Sequence, residues 1–424
     1  MAIGGPVGLA ICPLSKSAYG LGRGEAVTRF VVFGLPYSPN LGDGVIADCL
    51  EYALRKTVPE ADVQAVDLSG RMKRGQVVVG NRSLKLRLLE MMPQALKQRA
   101  VEYYLGRIVD AAKPSWRRTL EDADMAFIGG GQLFSDADLN FCVKIAGACE
   151  VLEDAKVPVA VHAVGVARNW SQRGTALFSK VKLTKLSWIG LRDMYSLEAW
   201  NDQMPADGPG RSLPETTVVR DPGLLAEGAY GRGKATGGIG LCVTAPMILG
   251  YHSDVSAHKA PILEFFADCA KGLSEQGHPV TLFCNGADED QFAISKLSDD
   301  PSVQPLISQG KVVVAPTPKQ PRELAHLISG FDLVVAHRLH ACILAYAYGI
   351  PSVGLGWDQK VESFFASVDR QDFFLNPASL RPEEVVKKVQ AAAGSPIGAE
   401  DKERVLKETQ AGVDNAARSA LGLH

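Results

Sequence analysis

Several things are scarce in this 424-residue chain, and each shortage excludes a class of protein. No apolar run reaches the roughly 18 residues that a membrane-spanning helix needs. The opening residues, MAIGGPVGLAICPLSKSAYG, carry no basic stretch ahead of a weakly apolar one and make a poor signal peptide. We expect residues 1–25 to form a flexible tail and the protein to be cytoplasmic. The eight cysteines include no CxxC pair and sit in apolar contexts, as reduced core thiols do. There is no HExxH, no DxD in a credible loop and no Cys/His cluster at ligand spacing, so no metal is expected. No GxGxxG follows the first apolar run, which argues against a dinucleotide cofactor. Net charge is only −2, so the molecule as a whole has no nucleic-acid signature.

That small net charge hides an asymmetry. Residues 71–118 hold twelve Lys and Arg against three acids, a local +9 that leaves −11 for the rest. The stretch LKLRLLEMMPQALKQRAVEYYLGRIV mixes apolar and basic residues at helical spacing. One reading is a solvated basic helix packed on its domain. The other is a peripheral contact with the inner face of the cell membrane, or with a pyrophosphate-linked acceptor, because basic amphipathic segments bind such surfaces.

The rest of the chain alternates short apolar runs with helical patterns. Phe30 to Gly34, Met125 to Ile128, Val157 to Val161, Ser187 to Leu191 and Thr217 to Val219 read as strands, each leading into a polar or Gly-rich loop. A Gly-dense stretch at 226–238 reads as a boundary. A second series follows it: Ile239 to Val243, Val280 to Cys284, Lys311 to Ala315, Leu333 to Ala336 and Ser352 to Leu355. Strands alternating with helices predict parallel sheets covered on both faces. We expect an α/β protein of two doubly wound, Rossmann-like domains facing a cleft. The first spans 26–230, with a basic insertion at 70–120. The second spans 231–398, and a terminal helix covers 399–424.

The densest chemistry lies in DLVVAHRLHACILAYAYGIPSVGL, residues 332–355. His337, Arg338 and His340 follow a buried-strand run where a helix begins. That edge of an open α/β sheet is where ligands bind. Helix N-termini there offer N–H groups to anions, and Arg adds a permanently charged fork.

Four stretches together are more specific than any one alone: PNLGDGVIADCLEYAL, DMAFIGGGQLFSD, SWIGLRDMYSLEAW with VVRDPGLL, and HRLHACILAYAYGIPSVGLGWDQKVESFF. In this order they resemble the polysaccharide pyruvyl transferase family, over roughly residues 30–368. The resemblance implies the two-domain, GT-B-like fold of glycosyltransferases. It also implies transfer of pyruvate from phosphoenolpyruvate, as co-substrate, onto two hydroxyls of a sugar in a cell-surface or exopolysaccharide precursor, as a cyclic ketal. The basic insertion and the N-terminal tail depart from the family pattern.

The residues fit that chemistry. A donor with a carboxylate and a phosphate needs fixed cations, and Arg338 and Arg192 are the candidates. The alternative for Arg192 is an ion pair that fixes its own loop. Ketal formation moves protons to a methylene carbon and away from hydroxyls, work suited to an imidazole. His340 is the first candidate and His337 the second; His162, after PVAVHAVG, is a third residue expected to line the cleft. Asn40 and Asp43 are candidates for acceptor hydroxyls, with Asp43 a candidate base; Asp43 also reads as a helix N-cap. Gly130 and Gly131 allow close backbone approach to a ligand or simply form a tight turn. Asp136 is a second acid near the same edge. Lys360 either neutralises phosphate or pairs with Asp358 or Glu362. The acceptor domain is the first and the donor domain the second. Two rivals remain at this stage: a nucleotide-sugar glycosyltransferase of the same architecture, and a sugar-binding module without chemistry.

Overall fold

Short runs of β-branched and aromatic residues form the strands of two sheets, the central strands buried on both faces. The computed structural model describes residues 27–76, 94–205, 212–245, 262–356 and 359–421. The expected tail, Asp358 and residues 77–93 of the basic stretch lie outside the described residues. The first sheet contains β1 (Arg29–Gly34), β2 (Asp62–Asp67), β3 (Met125–Gly129), β4 (Pro158–Val164), β5 (Lys185–Leu191) and β6 (Thr216–Val218). The second contains β7 (Ile239–Cys242), β8 (Val280–Phe283), β9 (Val312–Val314), β10 (Leu333–Ala336), β11 (Ser352–Leu355) and β12 (Phe374–Leu375). Every strand pairing is parallel. The protein is thus α/β, with two doubly wound domains in the GT-B arrangement. Strands β2 and β12 were not expected from sequence. The first alternates polar and apolar residues, and the second is only two residues long.

Strand order positions the site. The first sheet runs β2-β1-β3-β4-β5-β6 and the second β12-β11-β10-β7-β8-β9. In the first, the chain leaves β1 toward β2 and returns on the other side at β3. In the second, it leaves β7 toward β8 and returns at β10. A crevice opens at the carboxyl ends of strands flanking such a reversal. The two crevices are therefore built by the loops after β1 and β3, and by those after β7 and β10. The resemblance motifs N-x-GD, GGG and HRLH occupy three of these four loops.

Helix Leu41–Thr57 couples the domains. Its Leu50, Ala53 and Leu54 pack under the first sheet with Phe30, Val32 and Phe127. Its first residue, Leu41, packs instead with Phe283, Leu324 and Leu339 of the second domain. The Leu41 N–H also donates to the Asn285 carbonyl at 2.9 Å. Helix Ala399–Leu421 crosses back from the second domain and seals the first sheet with Val413, Ala416 and Ala417.

The basic stretch is in part a structural helix, Gln94–Leu120, whose Val109 and Trp116 are core residues. Many of its cations meet acids of the first domain. Lys97 lies 2.7 Å from Asp138, Lys113 lies 2.5 Å from Glu150, and Arg117 lies 3.0 Å from Asp154. Among the described residues no helix is long and apolar enough to cross a membrane.

Candidate active site

The loop after β1 is held open at its mouth. Arg74 donates to the carbonyls of Pro36 at 2.5 Å and Ser38 at 3.2 Å. Asn40 then caps helix Leu41–Thr57, its side-chain oxygen accepting from the Gly42 N–H at 3.4 Å. Asn40, not Asp43, is therefore the N-cap, and Asp43 points from the first turn. Burial raises the Asp43 carboxyl above the usual range; His340, a bond from Ser38, Arg338 and Lys360 oppose this without cancelling it. The loops of both sheets thus converge on this one carboxyl.

His340 enters from the first turn of helix Leu339–Ala347 and is 8% exposed. Its Nε2 lies 3.7 Å from Asp221 Oδ2, beyond hydrogen-bond length but within reach of an ion pair. Its Nδ1 edge faces Gly42 so closely that a Cβ there would lie 2.6 Å from Nδ1. The ring is therefore clamped between two elements of the first domain. Asp221 follows β6 and accepts from the Gly223 N–H at 2.8 Å. Burial pushes its carboxyl up, but His340, Arg192 and the Gly223 N–H outweigh this and leave it below the usual range. Two carboxyls flank one imidazole, one held up and the other held down.

The cations surround this centre. A small cleft is lined by Arg192, Arg220, Asp221 and Lys360, with Ile343 and Phe364 on its apolar wall. Arg192 is held by Asp193 Oδ2 at 3.2 Å and Gln132 Oε1 at 3.0 Å. Arg192 thus makes the loop ion pair and also lines the cleft. Asp193 also caps helix Met194–Gln203 through the Ser196 N–H at 2.7 Å, which explains the R-D-x-x-S spacing. Arg338 pairs with the buried Asp290 through Nε at 3.0 Å and Nη2 at 2.5 Å. Among the described residues no group of three or more His, Cys, Asp and Glu is placed to hold a metal ion.

With this geometry in place, the comparison of the sequence with family models is direct: the model for polysaccharide pyruvyl transferase matches residues 40–359. The chain belongs to that family. As a polysaccharide pyruvyl transferase family member it is a transferase. No curated protein matches it in sequence. Among solved structures it is similar to UDP-GlcNAc 2-epimerase of Methanocaldococcus jannaschii in complex with UDP-GlcNAc and UDP, with TM-score 0.49, 10% identity, and coverage of 90% of this chain and 99% of that one. It is also similar to Escherichia coli heptosyltransferase WaaC with ADP-2-deoxy-2-fluoro heptose, with TM-score 0.43, 12% identity, and coverage of 86% and 99%.

Not every expected residue of this pyruvyl transferase reaches the site. His337 is fully buried, with its ring packed against Phe265 and Phe266 at centroid distances of 6.1 and 5.5 Å. Burial pushes it down to about 3, and we withdraw it from the ligand set. His162 lies inside β4 rather than after it, fully buried against Phe127. Burial lowers it to about 4, and it lines no surface of the cleft. Asp136 organises its own loop instead, accepting from the Leu139 N–H at 2.9 Å, the Ser171 N–H at 2.9 Å and the Ser171 hydroxyl at 2.6 Å. Gly130 and Gly131 take positive φ, 72° and 74°. The space a Gly130 side chain would need is filled by Ile46 of helix Leu41–Thr57, so its close approach is to a helix rather than a ligand. Gly131 borders Asp43: a Cβ there would lie 3.8 Å from Oδ1.

Asp221 and Arg220 line the cleft and Asp290 holds Arg338, and none of the three stood out as a candidate from sequence. Asp221 was visible only as the Asp of an Asp-Pro turn, a pattern that caps helices anywhere. Asp290 stands in an acid-rich helix start, Asp288 to Asp290, that reads as a solvated N-terminus.

Proposed function

We propose that this transferase moves pyruvate from phosphoenolpyruvate onto two hydroxyls of a sugar, as a cyclic ketal, in a cell-surface polysaccharide precursor. The observation that carries this reading is the meeting of His340 with Asp43 and Asp221, ringed by Arg192, Arg338 and Lys360. Phosphoenolpyruvate is small and strongly anionic. The cleft beside this centre is lined by Arg192, Arg220 and Lys360. Its cations suit a carboxylate and a phosphate.

The chemistry runs as follows in this proposal. The Asp43 carboxyl, held protonated to higher pH than an ordinary Asp, gives its proton to the methylene carbon. The central carbon becomes electron-poor, and the first sugar hydroxyl bonds to it while its proton passes to His340. The Asp221 carboxylate, 3.7 Å from the other ring nitrogen, steadies the imidazolium by its charge. The carbon–oxygen bond to phosphate then breaks, its electron pair leaving with the phosphate, which the cations stabilise. The second hydroxyl closes the ketal. Of the two hydroxyl protons lost, one restores Asp43 and the other leaves with phosphate. Asn40, Asp43 and the Gly131 turn form the acceptor side.

Purified protein given phosphoenolpyruvate and a glycan acceptor should release phosphate only when both are present. Release of UDP or GDP from a nucleotide sugar, with no phosphate from phosphoenolpyruvate, would instead establish the glycosyltransferase rival. His340→Ala and Arg338→Ala should each lower kcat/KM for phosphoenolpyruvate by at least ~100-fold, the scale of a lost acid–base group or charge clamp.

We further propose a cytoplasmic enzyme whose acceptor is lipid-linked. It would approach along helix Gln94–Leu120, where Arg99, Tyr103 and Arg107 stand exposed at four-residue intervals.

A further inference from the structure

Asp290 has no exposed surface, and its carboxylate is fully engaged. Oδ1 accepts from the Ala245 N–H at 2.8 Å, which fixes the plane of the group. Oδ2 accepts from Arg338 Nε at 3.0 Å and Nη2 at 2.5 Å. Buried ion pairs seldom stabilise a fold on net, because desolvation offsets the attraction. A pair kept at the carboxyl end of β7 and β10, where the second crevice lies, is better explained by what it does to the guanidinium. Arg338 reaches that crevice through a long, rotatable side chain. Gripped by one edge it cannot swing, and two of its five N–H donors are used in the grip. The other three are presented in a fixed direction.

We propose that Asp290 is the positioning residue of the donor site, locking Arg338 in the orientation that receives the anionic donor. This rests on the assignment of phosphoenolpyruvate as donor, and it adds a residue drawn from helix Asp288–Ser298. The benefit is pre-organisation: the entropy of ordering the arginine is lost during folding, before the donor arrives.

Asp290→Asn tests it. The amide can still accept from Ala245, but it turns an NH2 toward the donors of Arg338, so the grip fails. The test is a double-mutant cycle of Asp290→Asn and Arg338→Gln in the full-length enzyme. It reads KM and kcat for phosphoenolpyruvate, and the rise in melting temperature that phosphoenolpyruvate causes. Asp290→Asn should raise KM about 10-fold or more with a smaller change in kcat, and should abolish most of the ligand-induced rise. In the Arg338→Gln background it should add less than about twofold. Should Asp290→Asn not fold, Asp290→Glu keeps the charge but moves the carboxylate by one methylene, and the same rise in KM is expected.

Unchanged KM in a folded Asp290 variant, or multiplicative effects in the cycle, would overturn the inference while leaving pyruvyl transfer intact. If the wild type binds phosphoenolpyruvate but transfers nothing, and both variants lose that binding, the function falls and the positioning role stands. If the wild type neither binds nor turns over phosphoenolpyruvate, both fall.

Discussion

At the scale of single residues, the least conspicuous member of the site is Gly42. It holds nothing itself, yet its missing side chain is the space into which His340 fits. Alanine there would bring a methyl group within 2.7 Å of His340 Cβ and Cγ, an overlap in a buried site that costs about 1–3 kcal/mol. Gly42→Ala should therefore lower the melting temperature and lower kcat by about 100-fold. A variant that is both stable and fully active would show that His340 does not need this seat. The neighbouring residues also mark the limit of reading from sequence. The location of Asp43, Arg192, Arg338, His340 and Lys360 was legible because each follows a strand end or opens a helix at the carboxyl edge of a sheet. His337 and His162 obeyed nearly the same rule and failed it. In a parallel strand buried on both faces, nothing in the local pattern tells which way a side chain leaves, or where the strand stops.

At the scale of elements, helix Gln94–Leu120 shows what composition conceals. A local surplus of nine positive charges suggested an anionic partner, yet three of those cations, Lys97, Lys113 and Arg117, face acids of the same domain. Such pairs each contribute about 1 kcal/mol or less, but they neutralise the surface. Among the described residues of the helix, Arg99, Tyr103 and Arg107 form an exposed row. We expect weak binding to vesicles rich in anionic lipid at low salt, released near ~0.5 M salt as the Debye length shrinks to a few ångströms. Arg99→Glu with Arg107→Glu should remove it. No sedimentation with such vesicles at low salt would remove the lipid-surface proposal. Most strands were legible because short apolar runs alternate regularly with helical patterns. Strand β2 was not, since Asp, Gln and Asp interrupt its apolar residues.

At the scale of the whole molecule, the buried imidazoles make the fold sensitive to acid. His162 and His337, one in each domain, are held neutral, at about 4 and about 3 against an ordinary 6.5. Their folded values are depressed, and the unfolded chain takes up protons first as pH falls. Their contribution is therefore complete above about pH 6.5 and declines through the window from 6.5 to about 4 and about 3. For His162 the loss by pH 4 is on the order of 3 kcal/mol. The melting temperature should fall steadily across this window, and His162→Gln should fall less steeply than wild type. Parallel slopes for the two proteins would show that His162 is not the responsible group.

The path of the chain between the halves has a mechanical consequence. It crosses once after Tyr230 and again before helix Ala399–Leu421, which returns to the first sheet. A body tied to another at one point can swivel about every axis. Tied at two separate points, it keeps one easy rotation, about the line that joins them, as a door does on a pair of pins. The two ties thus restrict how the half that carries the imidazole can turn relative to the half that carries the carboxyls.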